Sequence, residues 1–298
     1  MSRTMTLAVC ALALAACRKQ EQAAPADTVF TGLTVVDSFR TPESVLYDPA
    51  SDGYLVANIN GLPLDKDDNG FISRVNPDGR VDQLAWIDGA DSAVTLNAPK
   101  GMGIRGDTLF VADIDEVRLF DRVSGEPRGS WRVRGATFLN DMHVGPDGAV
   151  YVTDTGLNPD FSSNGGDAVY RFDARGRPTA VARSRSLGGP NGVFATDSGV
   201  VIATWRGDVY LLSPRGRRTD MPRPPAGGLD GLMRTTDGAW LVSSWNDSTV
   251  RRLMPGDTAW SAVVRGVASP ADIGFDTRRQ RILIPQFNVN RVQVLPLH

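Results

Sequence analysis

Four oxygen-bearing side chains, far apart in the sequence, stand at the start of short apolar segments. They are Glu43, Asn140, Asn191 and Asp230. Two carboxylates and two amide carbonyls make a hard oxygen set, which suits Ca²⁺, whereas zinc prefers nitrogen and sulfur ligands. Residues of these types also cap turns, so one of them alone would carry no signal. Together they predict a site for calcium or another divalent cation if the fold brings them to one place.

The apolar segments belong to a pattern that recurs six times. Each copy has a short strand, a turn rich in Asp, Pro and Gly, a second apolar strand and a third strand. Strand starts separated by roughly 40 to 57 residues, without helical periodicity, are typical of a β-propeller. The last copy is one strand short, so we predict that Val29–Asp37 completes it. The prediction is an all-β, six-bladed β-propeller over residues 29–298, closed by this N-terminal strand. The six first strands start at Glu43, Lys100, Asn140, Asn191, Asp230 and Ala271.

The first strand of each propeller blade lines the central channel, so the six strand starts should converge at one mouth. The second strand runs antiparallel to the first and returns to the same mouth. The mouth is therefore predicted to be polar, with two tryptophans as possible walls of a substrate pocket. Its predicted lining residues are Lys100, Asp113, Asp141, Trp205, Trp245 and Asn288.

Four sequence segments resemble those of a known family: PES at 42–44, NDMHVGPDGAVYVTD from Asn140, PNG at 190–192 and LDG at 229–231. They resemble the senescence marker protein/gluconolactonase/luciferin-regenerating-enzyme family of six-bladed, calcium-dependent propellers, many of which hydrolyse lactones. The resemblance implies that the four oxygen-bearing residues are the metal ligands and that Asp230 is also the catalytic base. It thus implies a calcium-dependent hydrolase of lactones or related esters.

Two residues depart from that pattern. Lys100 places a positive charge at the second-blade channel position, where it would oppose cation binding. His143 has no second histidine near it, so a His–His dyad is not available, and an interblade or channel-wall position is favoured over catalysis.

Asp65–Gly70 matches the first half of an EF-hand-type loop but has Asn76 where the bidentate Glu should be. A solvated loop, which could also form a lid over the mouth, is the favoured interpretation.

A non-catalytic propeller is the alternative. The phrase PKGMGIRGDTLFVADIDEVRLFD from Pro99 resembles NHL-type repeats, which often bind partners, and Lys100 slightly favours this hypothesis. The fold alone cannot choose between an enzyme and a ligand- or protein-binding module.

The N-terminus predicts a lipoprotein. Residues 1–16 combine Arg3 with an apolar run too short to span a bilayer, and the run ends in Leu14-Ala15-Ala16-Cys17, which resembles a lipobox. Cys17 would receive the lipid, and the polar residues 17–28 would form a tether. We therefore expect a cell-envelope protein, at the outer membrane facing the periplasm, that is held to the membrane by its lipid anchor only.

The composition excludes several classes of partner. A net charge of −2, from 32 Lys and Arg against 34 Asp and Glu, gives no basic field for nucleic acid. Two cysteines exclude a disulfide scaffold, and two histidines are too few for a typical zinc enzyme. The expected partner is a small-molecule lactone or ester, and the expected state is a monomer.

Overall fold

The computed structural model describes residues 32–35 and 39–297. They form six four-stranded antiparallel sheets arranged as the blades of a propeller. The predicted signal peptide, Cys17 and tether lie outside the described residues. Blade 1 contains β2 (Pro42–Asp48), β3 (Gly53–Asn58), β4 (Phe71–Val75) and β5 (Val81–Asp88); blade 2 contains β6 (Pro99–Arg105), β7 (Thr108–Asp113), β8 (Glu116–Asp121) and β9 (Pro127–Arg132); blade 3 contains β10 (Leu139–Val144), β11 (Val150–Asp154), β12 (Ala168–Phe172) and β13 (Pro178–Arg183). Blade 4 contains β14 (Pro190–Thr196), β15 (Gly199–Thr204), β16 (Val209–Leu212) and β17 (Arg218–Asp220); blade 5 contains β18 (Leu229–Arg234), β19 (Trp240–Ser244), β20 (Thr249–Leu253) and β21 (Ser261–Arg265); blade 6 contains β22 (Gly274–Asp276), β23 (Arg281–Gln286), β24 (Arg291–Pro296) and β1 (Leu33–Val35).

The N-terminal strand closes the ring, as predicted. β1 pairs antiparallel with β24, with Leu33 opposite Val294 and Val35 opposite Val292. The sixth sheet therefore combines the first described strand with the last three. In the part of the chain that the structure describes, no helix has the length and apolarity needed to cross a bilayer.

The outermost strand is the least buried strand of each blade. In blade 4, β15 is buried throughout, whereas β17 is exposed throughout. The second strands read as nearly continuous apolar runs because blades pack against both of their faces. Between blades 2 and 3, Trp131 packs on Phe110 and Phe172, with ring centroids 4.9 and 5.4 Å apart. Such contacts fill the spaces between blades.

Each of the first five inner strands is irregular at the predicted channel residue. In blade 3, Leu139 pairs with Asp154 and Met142 with Val152, so Asn140 and Asp141 together face only Thr153. The same bulge occurs in blades 2, 4 and 5, and a one-residue shift occurs at Glu43 in blade 1. A bulge interrupts the ladder and redirects side chains. These bulges position the channel residues.

Blade 6 differs from the prediction. Its inner strand begins at Gly274, not at Ala271. The residues before it pair with β23 only locally, where Ala271 N–H donates to the Pro285 carbonyl at 3.0 Å, and then with blade 1. The Asp272 N–H donates to the Glu43 carbonyl at 2.8 Å, and Val45 N–H donates to the Asp272 carbonyl at 3.3 Å. The ring is therefore closed at the channel as well as at the outer edge.

Two glycines allow neighbouring inner strands to approach closely. A Cβ on Gly192 would lie 2.4 Å from the Asp230 carbonyl oxygen, and one on Gly231 would lie 2.2 Å from the Ile273 amide nitrogen. Both distances are too short for any side chain. These glycines directly follow two predicted ligands, so they keep those residues close to the axis.

Candidate metal and catalytic site

The four predicted ligands lie at the channel mouth with almost no solvent exposure, 3 to 6% each. In three of them a buried oxygen has no hydrogen-bond partner: Glu43 Oε2, Asn191 Oδ1 and Asp230 Oδ1. A buried acceptor without a donor costs roughly 1–3 kcal/mol. Three such oxygens from blades 1, 4 and 5 form an acceptor-only set, which fits a cation.

Hydrogen bonds fix the amide of the fourth predicted ligand. Thr155 Oγ1 donates to the Pro190 carbonyl at 2.8 Å, so it can only accept from Asn140, whose Nδ2 lies 3.1 Å away. The amide nitrogen of Asn140 is therefore committed, and its carbonyl oxygen is the atom left for a ligand. Thr155 was missed at the sequence level, although it directly follows the second strand of its blade.

Asp230 is held at one oxygen and unpaired at the other. The indole N–H of Trp245 donates to Oδ2 at 2.7 Å, while Oδ1 has no partner. Burial, and then the charge of Asp272, raise the pKa of Asp230 to about 7, although hydrogen bonds from Trp245 and Asn191 oppose the rise. A carboxylate with this pKa can take up a proton near neutral pH.

A second layer of acids lies beneath the ligands. Asp141 and Asp272 come from opposite blades, and each is the residue after the channel position. Burial raises the pKa of both carboxyl groups, and the charge of Asp272 raises the pKa of Asp141 further. Ser44 donates to Asp272 Oδ2 at 2.6 Å, and Val193 N–H donates to Asp141 Oδ2 at 2.7 Å. Asp272 was not predicted, because the sequence pattern placed the apolar Ala271 at the channel position of blade 6 and no polar group was expected there.

Lys100 is fully buried beside the mouth, and backbone carbonyls hold its ammonium group. Its ammonium donates to the carbonyls of Pro63 and Ala98, both at 2.9 Å, and lies 4.8 Å from the ring centroid of Phe138. Burial lowers the pKa of Lys100 to about 8, and the nearby charges of Glu43 and Asp113 oppose this. The lysine therefore joins a mouth loop to the channel and adds one positive charge to the site.

The electrostatics favour a cation among these groups. Burial is the main cause that raises the pKa values of Glu43 and Asp141 well above their usual range, and neighbouring acids raise them further. A bound divalent cation would reverse this by stabilising the ionised forms. Over residues 32–35 and 39–297, no three His, Cys, Asp or Glu side chains form a metal cluster. The predicted set contains only two carboxylates, so it depends on the two amide oxygens.

Two predicted lining residues lie outside this group. Asp113 is fully buried and accepts from the Asn97 and Ala98 amides and from Arg118 Nε at 2.9 Å. It therefore fixes the loop before β6. Asn288 is exposed and donates to Ser269 Oγ at 2.7 Å. By contrast, Trp245 contacts Asp230, and Trp205 packs against Trp245.

The loop that resembles an EF-hand is exposed at its acidic positions. Asn69 Nδ2 donates to Asp67 Oδ2, and Lys66 pairs with Asp115, both at 2.6 Å. The contact between Asn69 and Asp67 uses two side chains that a calcium loop would need as ligands. The Pro63 carbonyl, however, reaches Lys100, so the loop does lie against the mouth.

His143 makes an interblade contact, as favoured from the sequence. Its Nδ1 accepts from the Ala195 amide at 3.2 Å, and its ring centroid lies 4.0 Å from that of Phe194. Burial lowers the pKa of His143 to about 4. This contact ties the inner strands of blades 3 and 4 together.

The pKa of His143 predicts a stability change in mild acid. The unfolded chain, with a pKa near 6.5, binds the proton more tightly than the folded one, so stability is full above that value and falls towards pH 4. We expect the wild type to lose about 2 kcal/mol more than His143→Gln between pH 7 and pH 5. Urea unfolding at both pH values measures this, and equal losses in the two proteins would contradict it.

Two clefts of about 360 and 340 Å³ lie at the other face of the propeller. They are lined by turns between first and second strands and between third and fourth strands, including Ser51 and Asn76 in one and Asp147 and Pro214 in the other. Neither contains a predicted site residue.

Comparisons with known proteins show the fold. No protein-family model matches the chain, and no curated protein is similar in sequence. A gluconolactonase from Xanthomonas campestris has a TM-score of 0.68 at 19% identity, covering 89% of both chains. A calcium-binding regucalcin from Agrobacterium tumefaciens has a TM-score of 0.62 at 18% identity, covering 89% of this chain and 93% of that one. A streptogramin B lyase has a TM-score of 0.64 at 11% identity, covering 90% and 98%.

These likenesses confirm the six-bladed propeller. At such low identity they do not establish a family or an activity, and the same fold serves both a gluconolactonase and a lyase. Function must therefore be argued from the site.

Proposed function

We propose that the protein is a divalent-cation-dependent hydrolase of lactones or related esters. The observation that supports this most strongly is that Glu43, Asn191 and Asp230 each have a buried oxygen without a hydrogen-bond partner, and that Asp230 interacts with both of the other residues. With the carbonyl of Asn140 they would hold Ca²⁺ or a similar ion, and water or substrate would complete its shell. The gluconolactonase and regucalcin neighbours agree with this proposal.

When bound, the cation would polarise the substrate carbonyl and stabilise the oxyanion that forms on it. Asp230 would take a proton from water as the water oxygen bonds to the carbonyl carbon. Trp245 holds Oδ2 of this carboxylate, so Oδ1 would contact the cation through one lone pair and the water through the other. The ring C–O bond then breaks, the proton goes to the leaving alkoxide, and a hydroxy acid is released.

A non-catalytic binding module is the second candidate. Lys100 favours it, because a buried ammonium that lowers the pKa of Glu43 also opposes a cation beside Glu43.

For either function we propose the predicted lipid anchor at Cys17 and a periplasm-facing position at the outer membrane.

Calorimetric calcium titration, paired with a panel of lactones and aryl esters, tests the proposal. We expect one cation per chain and hydrolysis that a chelator abolishes and added calcium restores. Binding without hydrolysis of any compound in the panel would support the binding module instead. Hydrolysis that the chelator leaves unchanged would reject the cation-dependent mechanism.

A further inference from the structure

In every blade, the residue that directly follows the second strand lies at the mouth end of the sheet. In blade 3 this residue is Thr155, which orients Asn140. In the other five blades it is apolar, and the three consecutive blades 4, 5 and 6 carry the largest side chains. These five residues are Ile59, Ile114, Trp205, Trp245 and Phe287.

The three aromatic members form a continuous wall. The ring centroids of Trp205 and Trp245 are 5.9 Å apart, and those of Trp245 and Phe287 are 5.4 Å apart. Phe287 in turn packs with Leu64 against the buried cluster that contains Ile59. The wall begins at Asp230, through the indole N–H of Trp245, and reaches solvent at Trp205, which is 47% exposed.

Exposed large apolar side chains also concentrate at the mouth. Among the described residues there are six, and four of them lie in loops that join a second strand to a third. These loops all open at the mouth. A polyhydroxylated substrate would need hydrogen-bonding partners there, whereas an apolar group is stabilised by burial against such side chains. The four residues are Leu62, Phe161, Trp205 and Val289.

The geometry points to an apolar subsite, formed by Trp205, Trp245 and Phe287, that binds the alkyl or aryl part of the substrate. This inference rests on the proposed function, since it places the reacting carbonyl beside Asp230. The substrate class is then a lactone or ester with an apolar substituent. Chain length, more than the pattern of hydroxyl groups, sets the selectivity.

The test compares wild type, Trp205→Ala and Trp205→Phe on lactones with short, medium and long alkyl chains. In the wild type, kcat/KM should rise with chain length, by up to about fourfold per buried methylene. Trp205→Ala should reduce kcat/KM for the long chain much more than for the short one, and Trp205→Phe should restore most of the dependence. Val123→Ala removes exposed apolar surface away from the mouth and should change nothing.

A binding measurement separates this inference from the proposed hydrolysis. Alkyl lactams of the same chain lengths resist hydrolysis, and their binding can be followed by tryptophan fluorescence. If no lactone is hydrolysed but long-chain lactams bind tightly in wild type and weakly in Trp205→Ala, the subsite stands and the hydrolase proposal fails. If hydrolysis or binding shows no dependence on chain length, or Trp205→Ala leaves the dependence intact, the subsite is overturned.

Discussion

Asp230→Asn is expected to abolish both cation binding and hydrolysis while the propeller stays folded. The substituted side chain has the same size, and its carbonyl oxygen can still accept from Trp245 as Oδ2 does now. What is lost is one of two carboxylates in the ligand set and the group that accepts a proton. We expect kcat/KM to fall by about 10³ or more, a typical loss for a general base.

Three measurements test this expectation. Calorimetry should show no calcium binding, the lactone assay should show loss of turnover, and thermal unfolding should stay close to that of the wild type. Asp78→Asn is the matched control, since Asp78 caps an exposed turn at the other face by accepting from Arg80 N–H. Activity retained in Asp230→Asn would reject the assignment of Asp230 as the base.

Lys100→Met is expected to tighten calcium binding by at least about tenfold. The buried ammonium contributes a positive charge that is felt at Glu43, and charges away from water interact strongly. A tenfold change in affinity corresponds to about 1.4 kcal/mol, well within the range of such an interaction. The unbranched methionine keeps most of the packing on Phe138 but loses the bonds to Pro63 and Ala98.

Lys66→Met is the control for charge alone. It removes the same charge from the same mouth, but Lys66 is half-exposed and paired with Asp115, so solvent screens it. We expect little change in its calcium affinity, measured by the same titration. If Lys100→Met binds calcium no more tightly than Lys66→Met does, the buried lysine does not oppose the cation.

The repeat pattern was sufficient to predict the propeller, because turn residues and apolar strands are local signals. Five of the six predicted strand starts lie one residue inside the observed strands, and β1 closes the ring as expected. The sixth start was wrong by three residues, since β22 begins at Gly274, after Asp272 has bonded to Glu43 and Val45 of blade 1. The predicted site residues were identified by their equivalence around the ring.

The contacts within the site could not be predicted in the same way. The bulges that redirect Lys100 and Asn140 depend on the register between strands, which single residues do not specify. Asp113 was predicted to line the mouth, but its oxygens are used by a neighbouring loop and Arg118. The contact between Lys100 and Pro63 depends on how a long loop folds back, and composition alone does not encode that path.

The direction of β1 has a consequence for orientation. β24 starts at the mouth and runs away from it, so the antiparallel β1 enters at the far face and runs towards the mouth. The chain upstream of Gly32 therefore joins the propeller at the face opposite the mouth. With the lipid anchor proposed at Cys17, the tether would join the face opposite Asp230, and the mouth would be free of the attachment.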